Sequence, residues 1–362
     1  MEEGESFDNL DLIHIGMLKQ FKQATLKSLR ATRVSTLVER SRWRRQRLMI
    51  LAYHGISIDD EHLWSHHQYM PADIFRARMQ SLVKSGCNVL PLGEAIQRLY
   101  KNDLPEKSVA ITFDDGTDDF HQKAWPILKE FGFPVTLYLT TFYSNYNKPV
   151  FDLMCDYLMW KGRSQTLDLR KLVERDLKAE LHTEPLRKAA LAEIHAFAKA
   201  QKMDAGAKDA LASALGAELK VDYQSLIDRR MMHNLMPDEV RRLSDDGVDI
   251  QLHTHRHRTP KDRQLFLREI EDNRASIEEI TGKVATHFCY PSGRYDHAFL
   301  PWLKESGVVS ATTCEPGFAS RTSDPLLLPR VLDMSTLSPI EFDSWLSGIS
   351  AALPRRADLR ER

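Results

Sequence analysis

The sequence predicts an α/β fold, a parallel sheet or barrel with helices on its outside. From Arg47 onward, short apolar runs alternate with segments of helical periodicity. This alternation pauses after residue 150 and resumes near residue 237. Strands that alternate with helices are typical of parallel sheets and barrels, because each crossover between parallel strands needs a long connection. The interval between the two stretches, rich in Ala, Leu, Lys and Glu, is therefore interpreted as a mostly helical insertion.

Glycines mark the ends of elements in the first stretch. Gly55, Gly86 and Gly132 each follow an apolar run or a helical pattern directly. Glycine ends an element readily because it adopts backbone conformations that other residues avoid. The predicted strands here are Arg47–His54, Asn88–Pro91, Ser108–Phe113 and Pro134–Thr140, and the predicted helices are Asp73–Ser85, Leu92–Lys101 and Asp118–Phe131.

The second stretch begins with Pro237, which suits the first turn of a helix that ends before Gly247. The further predicted helices are Asp262–Ile280, Asp296–Ser306 and Ile340–Ala352, and the predicted strands are Val248–Leu252, Thr286–Tyr290, Val308–Thr313 and Leu326–Leu332. Because both stretches show the same rhythm, they are interpreted as one domain that the insertion interrupts.

The chain is thus divided into three parts. A basic helical segment is predicted over residues 1–46, an α/β domain over residues 47–150 and 236–352, and a helical insertion over residues 151–235. Insertions at the carboxyl end of a barrel strand lie beside the active site. The insertion is therefore either a lid that takes part in substrate recognition or a helical subdomain without a catalytic role.

The composition is that of a soluble globular protein without a strong overall charge. Charged residues make up 28% of the chain, the net charge is −1 and the pI is ≈ 6.9, so no overall field indicates a nucleic-acid partner. The four cysteines form no CxxC pair, which favours reduced thiols. The start MEEGESFDN does not resemble a secretory signal. We expect a cytoplasmic protein.

The amino-terminal segment is locally basic. Between Lys19 and Arg47 almost every charged residue is Lys or Arg, Glu39 being the exception, and apolar residues recur between them at helical spacing. A basic amphipathic helix can lie on an anionic membrane surface, which would give a peripheral contact with the inner membrane face. Alternatively, the segment packs its apolar stripe on the α/β domain and leaves its charges in water.

The first motif with chemical content is Thr112-Phe113-Asp114-Asp115-Gly116. Side chains alternate along a strand, so two adjacent carboxylates cannot face one site from inside a regular strand. Where the strand ends and Gly116 permits a sharp turn, they can converge. Two carboxylates this close repel each other unless a cation lies between them or they share a proton. A polar turn without catalytic function is the alternative, since Asp and Gly are common in turns.

The second motif is His253-Thr254-His255-Arg256-His257, directly after the predicted strand Val248–Leu252. If the chain coils into a helical turn, His253 and His257 lie on one face and His255 points elsewhere. An extended chain would instead align all three histidines, and a solvated polar loop is the alternative to both. One carboxylate and two imidazoles form an incomplete shell around a metal ion, which leaves positions for water and substrate. Asp114, kept ionised by the cation, could then accept the proton of the water.

With TFDDG after one strand and HTHRH after a later one, the chain resembles the polysaccharide deacetylase family (NodB homology, carbohydrate esterase family four). The resemblance implies a distorted parallel (β/α) barrel and hydrolysis of acetyl groups on sugars. Transferred to this sequence, it makes Asp114 the general base and Asp115, His253 and His257 the ligands of one divalent ion. Zinc is expected from the ligand types, with nickel, cobalt or manganese as alternatives.

Further motifs resemble the exopolysaccharide-deacetylase-like subfamily. Tyr53-His54-Gly55 resembles its YH element and makes His54 an active-site candidate, a buried hydrogen-bonded histidine being the alternative. Leu328–Val331 resembles its carboxyl-terminal motif; Arg330 there could orient Asp114, or could form a surface ion pair.

The segment Phe288–Gly293 resembles the third motif of the family, which lines the groove. This makes Tyr290 and Pro291 candidates for substrate binding, and the Tyr290 amide could help to hold the oxyanion of a tetrahedral intermediate. Two departures from the family pattern matter. Cys289 stands where the RPPYG form of this motif has Arg, and the late leucine-x-histidine motif, whose His is the usual general acid, is not visible. The proton donor is then His54, His255 or protonated Asp114.

The sequence therefore predicts a metal-dependent hydrolase that removes an N-acyl group from an amino sugar of a polysaccharide or its precursor. An esterase for O-acyl groups, another C–N hydrolase, or a catalytically idle glycan-binding homologue are the alternatives. The expected partner is an N-acylated glycan, and not a nucleic acid, met in the cytoplasm or at the inner membrane surface.

Overall fold

The computed structural model describes residues 20–32, 34–173 and 175–352. Parts of the predicted amino-terminal segment (1–19 and 33) and one residue of the predicted insertion (174) lie outside this description. In the described chain the strands are β1 (Arg47–Tyr53), β2 (Gly55–Ile56), β3 (Tyr69–Met70), β4 (Asn88–Val89), β5 (Ser108–Phe113), β6 (Thr136–Leu139), β7 (Thr166–Asp168), β8 (Lys178–Glu180), β9 (Asp249–Leu252), β10 (His287–Cys289), β11 (Ser310–Pro316), β12 (Ala319–Ser320) and β13 (Leu328–Leu332).

The helices surround these strands and connect them. They are α1 (20–31), α2 (Val34–Glu39), α3 (Arg42–Arg45), α4 (Glu61–Trp64), α5 (Ala72–Lys84), α6 (Leu92–Lys101), α7 (Trp125–Phe131), α8 (Phe151–Lys161), α9 (Arg170–Val173), α10 (Glu184–Ala200), α11 (Ala205–Glu218), α12 (Tyr223–Asp228), α13 (Pro237–Asp245), α14 (Arg263–Thr281), α15 (Phe299–Glu305), α16 (Pro339–Ser347) and α17 (Ile349–Ala352).

Seven strands close a parallel barrel. Around the ring, β1 is followed by β13, β11, β10, β9, β6 and β5, and β5 pairs again with β1. All pairings in the ring are parallel. Outside the ring, β4 extends the sheet from β5 and β12 pairs antiparallel with β1. The predicted barrel with helices outside is confirmed.

The apolar faces of the helices pack against the outside of the barrel. On α14, Phe266, Ile270 and Ile277 are fully buried at helical spacing. The space enclosed by the strands also holds polar groups, since Arg330 on β13 reaches Thr112 on β5 across the intervening strand β1. The core is therefore largely apolar between the strands and the helices, with a polar centre below the carboxyl ends of the strands.

Two predicted helices are interrupted. The predicted helix Asp118–Phe131 begins as a π-helix over Phe120–Ala124 and becomes α7 only at Trp125, because Pro126 has no N–H to donate to the preceding turn. The predicted helix Ile340–Ala352 is divided into α16 and α17 at Gly348, which has φ 91°. A Cβ there would lie 3.0 Å from the Trp43 ring, and this tight contact adds to the preference of the left-handed backbone for glycine.

The interval between β6 and β9 forms a subdomain with its own apolar core. Helices α8, α10 and α11 contribute Leu158, Ile194 and Leu215, each fully buried. The subdomain also contains the antiparallel pair β7–β8, which the helical prediction missed, because strands of three residues are too short to show a period of two. Since the insertion follows the carboxyl end of β6 and precedes α13, the subdomain rises from the carboxyl end of the barrel.

The described part of the amino-terminal segment packs on the last helices. Lys22 forms an ion pair with Glu341 at 2.9 Å, and Leu26 is buried. Phe21 and Leu37, however, remain 74% and 71% exposed, so only part of the apolar stripe is covered. Within the described ranges, none of the helices is both long and apolar enough to cross a membrane. Peripheral membrane contact stays a prediction.

Candidate active site

The turn after β5 directs two adjacent carboxylates towards the carboxyl end of the barrel. Asp115 and Gly116 have φ 73° and 78°, the left-handed conformation that Asp tolerates and Gly favours. A Cβ on Gly116 would lie 2.3 Å from Leu139 Cδ1. The Asp115 carbonyl accepts hydrogen bonds from the Thr140 amide at 3.3 Å and from Asn234 Nδ2 at 3.1 Å. The turn is thus held from β6 and from the end of the insertion.

The structure brings Asp115, His253 and His257 together. Nε2 of His253 lies 3.1 Å from Asp115 Oδ1, and Nε2 of His257 lies 3.2 Å from the same oxygen. These donor atoms all lie within 4.8 Å of one another. One carboxylate oxygen and two imidazole nitrogens at such distances match the donor set of an open catalytic metal site.

The loop that carries the histidines is coiled. Thr254 and His257 have φ 64° and 52°, and this curvature places His253 and His257 side by side, with ring centroids 5.0 Å apart. His255 points away, and its Nδ1 lies 2.8 Å from Thr141 Oγ1. The predicted helical turn is wrong, because the segment is a bend with two left-handed residues, but this bend also brings His253 and His257 together and excludes His255 from the site.

Hydrogen bonds behind His253 fix both its ring and its backbone. Nδ1 lies 2.9 Å from the Cys289 carbonyl, to which it can donate, and this leaves Nε2 free for an ion. The His253 amide donates to Asn273 Oδ1 at 2.9 Å, and Asn273 Nδ2 donates to Leu139 O and Thr141 Oγ1. Sequence reasoning missed Asn273. The available signal was a polar residue on the buried face of α14, in line with its apolar positions.

Asp114 forms a buried ion pair with Arg330. The guanidinium donates from Nη1 to Oδ1 and from Nη2 to Oδ2, each at 2.8 Å, and the two side chains are 2% and 0% exposed. Burial opposes ionisation of Asp114, but the charge and hydrogen bonds of Arg330 outweigh it and lower the pKa to about 2. Arg330 therefore orients Asp114, and the surface ion pair considered for Arg330 is wrong.

Cys289 and His54 complete the surroundings of Asp114. The thiol Sγ lies 3.5 Å from Asp114 Oδ2. The thiol thus lies beside the same carboxylate that Arg330 from β13 pairs with. His54 Nε2 lies 3.8 Å from the same oxygen, and its side chain is 25% exposed, so His54 is not a fully buried core histidine. Of the groups that lower the pKa of Asp114, Arg330 has the largest effect, and His253 and His54 act in the same direction.

Tyr290 and Pro291 occupy different surroundings. The Tyr290 amide donates to the Thr312 carbonyl at 3.2 Å, and its hydroxyl donates to the Leu326 carbonyl at 3.0 Å. The proposed oxyanion contact by this amide is therefore not supported, because the N–H is already used between β10 and β11 and the side chain is fully buried. Pro291 lines a cavity of ≈ 430 Å³ together with His257, which places it at the groove.

Comparisons with known proteins agree with this fold and motif order. The model of the polysaccharide deacetylase family matches residues 101–311. YxkH of Bacillus subtilis is 22% identical over 309 residues, which cover 84% of this chain and 77% of the relative. The poly-β-1,6-N-acetyl-D-glucosamine N-deacetylase of Staphylococcus epidermidis is 32% identical over 107 residues, 27% of this chain and 37% of that protein.

One solved structure shows the likeness at the level of the fold. The Streptococcus pyogenes deacetylase PplD, in complex with acetate, superposes with a TM-score of 0.55 at 19% sequence identity, over 85% of this chain and 99% of that one. The family model covers more than half of the chain, including TFDDG and HTHRH. The chain therefore belongs to the polysaccharide deacetylase family.

Proposed function

We propose that this chain is a deacetylase that uses a divalent metal ion to remove N-acetyl groups from amino sugars of a polysaccharide or its precursor. The observation that carries the proposal is the convergence of His253 Nε2 and His257 Nε2 on Asp115 Oδ1, beside an Asp114 carboxylate that Arg330 holds in place. Glycan binding alone would need neither an open set of metal ligands nor an oriented carboxylate.

The donor atoms fit a divalent ion. Asp115, His253 and His257 would hold it, and His253 offers Nε2 because its Nδ1 faces the Cys289 carbonyl. Two nitrogen donors and one oxygen donor suit zinc best, with nickel, cobalt or manganese as alternatives. When bound, the ion would lower the pKa of a water molecule and polarise the acetyl carbonyl.

Asp114 is the proposed general base. Its low pKa keeps it ionised at neutral pH, and both its oxygens are fixed by Arg330. A carboxylate whose pKa is about 2 is a weak base, so proton transfer to it requires a water made unusually acidic. The base therefore needs the metal ligands beside it in order to work.

His54 is the proposed general acid. Its ring lies next to Asp114 Oδ2 and is partly exposed, which allows its proton to reach the nitrogen of the departing amine. His255 is less suited, because its Nδ1 faces Thr141 and burial lowers its pKa. Asp114, once protonated, is the remaining candidate for this role. In either case the amine leaves with the proton and the acetyl group leaves as acetate.

The amide is favoured over an ester as the bond that is cleaved. The Staphylococcus epidermidis relative, whose name states N-deacetylation of a poly-N-acetylglucosamine, is 32% identical over its matched part. An O-acyl esterase with the same residues and a catalytically idle homologue remain as alternatives. Intact Asp114, Asp115, His253 and His257 argue against the idle form.

Acetate release measured with and without a chelator tests the proposal. Purified protein is incubated with N-acetylglucosamine oligomers, with matched O-acetylated sugars, and with each set after chelation and after zinc is added back. We expect acetate from the N-acetyl substrates, loss on chelation and recovery with metal. Release that chelation leaves unchanged would contradict the metal role. Release from the O-acetyl sugars alone would identify an esterase.

A further inference from the structure

A second group of metal-binding residue types follows the catalytic turn. It consists of Asp118 and His121, on the helix that begins at Asp118, and Glu239 on α13. One donor atom from each of the three lies within 4.8 Å of the others. His121 belongs to the π-helical turn Phe120–Ala124, and turns of this kind are frequent at functional sites. Three donors from two segments of the chain thus meet at one place.

One oxygen of Asp118 is buried without a hydrogen-bond partner. The side chain is 2% exposed, and two neighbouring groups contact Oδ2, Gln122 Nε2 at 2.6 Å and Arg230 Nε at 3.1 Å. Oδ1, in contrast, has no donor among the described residues. A buried polar atom without a partner is costly, and such atoms normally bind a donor group, a water molecule or an ion. Asp118 therefore has a free coordination position.

This unpaired oxygen is the one nearest to His121. Oδ1 lies 4.0 Å from His121 Nδ1, which is too far for a hydrogen bond. The separation suits two ligands of one ion, since bonds from zinc to nitrogen or oxygen measure about 2.0–2.2 Å each. On Glu239, Oε2 accepts hydrogen bonds from the Met236 amide at 2.8 Å and from Arg230 Nη2 at 2.9 Å, and Oε1 is left for the same ion.

The charges of this group favour a cation. Asp118 and Glu239 carry two negative charges and share one positive partner, Arg230, so one negative charge remains. The His121 side chain is 41% exposed, which gives an ion access from the solvent. Two carboxylate oxygens and one imidazole nitrogen suit zinc or a similar divalent transition metal.

We propose that Asp118, His121 and Glu239 bind a second divalent ion of the zinc type, distinct from the catalytic ion proposed above. Asp118 lies three residues after Asp115, and α13, which carries Glu239, begins directly after the end of the insertion. At that end, Asn234 already donates to the Asp115 carbonyl at 3.1 Å. The second ion joins the same two segments through their side chains. It is therefore a positioning element for the catalytic turn, and it contacts no substrate.

The number of zinc ions bound per chain tests the proposal. Wild-type protein and variants are dialysed to equilibrium against zinc chloride, and zinc is measured by elemental analysis. We expect two ions in wild type, one in His121→Ala, one in His257→Ala and none in the double variant. His182→Ala is the matched control and should bind two ions. His182 is also an exposed histidine beside a carboxylate, Glu180 at 3.3 Å, but it belongs to no group of three donors among the described residues.

Thermal unfolding shows whether the second ion binds the folded chain. Zinc should raise the unfolding temperature of His257→Ala and leave that of His121→Ala/His257→Ala unchanged. His257→Ala keeps all three ligands of the second site, so its zinc content decides the proposal even where His121→Ala does not fold. The second site is rejected if His257→Ala binds no zinc, or if His121→Ala binds as much zinc as wild type. Where wild type and His257→Ala each bind one ion and the double variant binds none, the second site stands and only the catalytic ion fails.

Discussion

Replacing Arg330 by methionine tests how the barrel stabilises its buried carboxylate. Methionine keeps much of the length of the side chain but removes the charge and both hydrogen bonds at 2.8 Å to Asp114. Asp114 is only 2% exposed, so water cannot replace the lost partner without rearrangement. Removing one partner of a buried ion pair costs about 3–5 kcal/mol. We expect the free energy of unfolding to fall by that amount at neutral pH.

The contribution of Asp114 to the pH dependence of the free energy of unfolding should also change sign in this variant. In the wild type, Arg330 holds the pKa of Asp114 at about 2, below the about 3.9 of an unfolded Asp. The pair therefore contributes stability that is present above about pH 4 and is lost as the pH falls towards 2. Without Arg330, burial dominates and raises the pKa of Asp114, so this residue should destabilise the variant as the pH rises through about 4 and beyond.

Urea unfolding at a series of pH values measures both effects. The variant Arg330→Met/Asp114→Asn serves as the control, because it removes the uncompensated charge and should recover part of the lost stability. Arg330→Met should also lower kcat/KM for acetate release by roughly a hundredfold, since a displaced base loses its alignment. If Arg330→Met unfolds within about 1 kcal/mol of wild type, or the double variant is no more stable than the single one, the reasoning is refuted.

Four further variants, in three tests, probe the remaining groups. His257→Ala should lose the metal of the active site and acetate release, whereas His255→Ala, changed in the same loop but bonded to Thr141, should keep its metal; equal metal contents by elemental analysis would contradict the ligand assignment. His54→Gln should slow amide hydrolysis by about 10²–10⁴-fold. Hydrolysis of an aryl acetate should slow much less, because its leaving group needs no proton. Equal decreases in rate on the two substrates would exclude the acid role of His54. Burial raises the pKa of Asp119 to about 7, so this carboxyl lowers stability as the pH rises from about 4 to about 7; thermal unfolding of Asp119→Asn should lack that decline, and an unchanged profile would disprove it.

Local patterns were enough to predict a parallel sheet or barrel with helices outside, and the family resemblance narrowed this to a barrel and assigned the three distant ligands. The strand Ser108–Phe113 and the helix Leu92–Lys101 have the predicted bounds, because a continuous apolar run and a clear helical period end at unambiguous turn residues. Asp115 and His257 were paired by their ligand types and by the resemblance, and the structure gives the physical reason: both follow parallel strands, whose carboxyl ends meet at one end of a barrel. Register and loop curvature were not needed for this prediction.

Features that depend on contacts between distant segments could not be predicted in this way. The Asn273 amide group supports His253 from the middle of α14, and its role depends on which loop lies opposite the helix. The amide of Tyr290 is used by the Thr312 carbonyl, a pairing set by the register of β10 against β11. Whether the Arg330 side chain points into or out of the barrel likewise depends on the register of β13, since a one-residue shift moves a side chain to the other face of the sheet.

The attachment of the insertion favours a rigid subdomain over a hinged lid. Its carboxyl-terminal end is joined to the catalytic turn, where Asn234 donates to the Asp115 carbonyl and the Leu235 amide donates to the Gly116 carbonyl. Its helix α8 is joined to the loop that follows His54, since both Tyr157 and Lys161 bond to Asp60. A hinge at this base would have to break the contacts that hold the Asp115 backbone in its left-handed conformation. Movement of the insertion would therefore disturb the site that a lid is meant to complete.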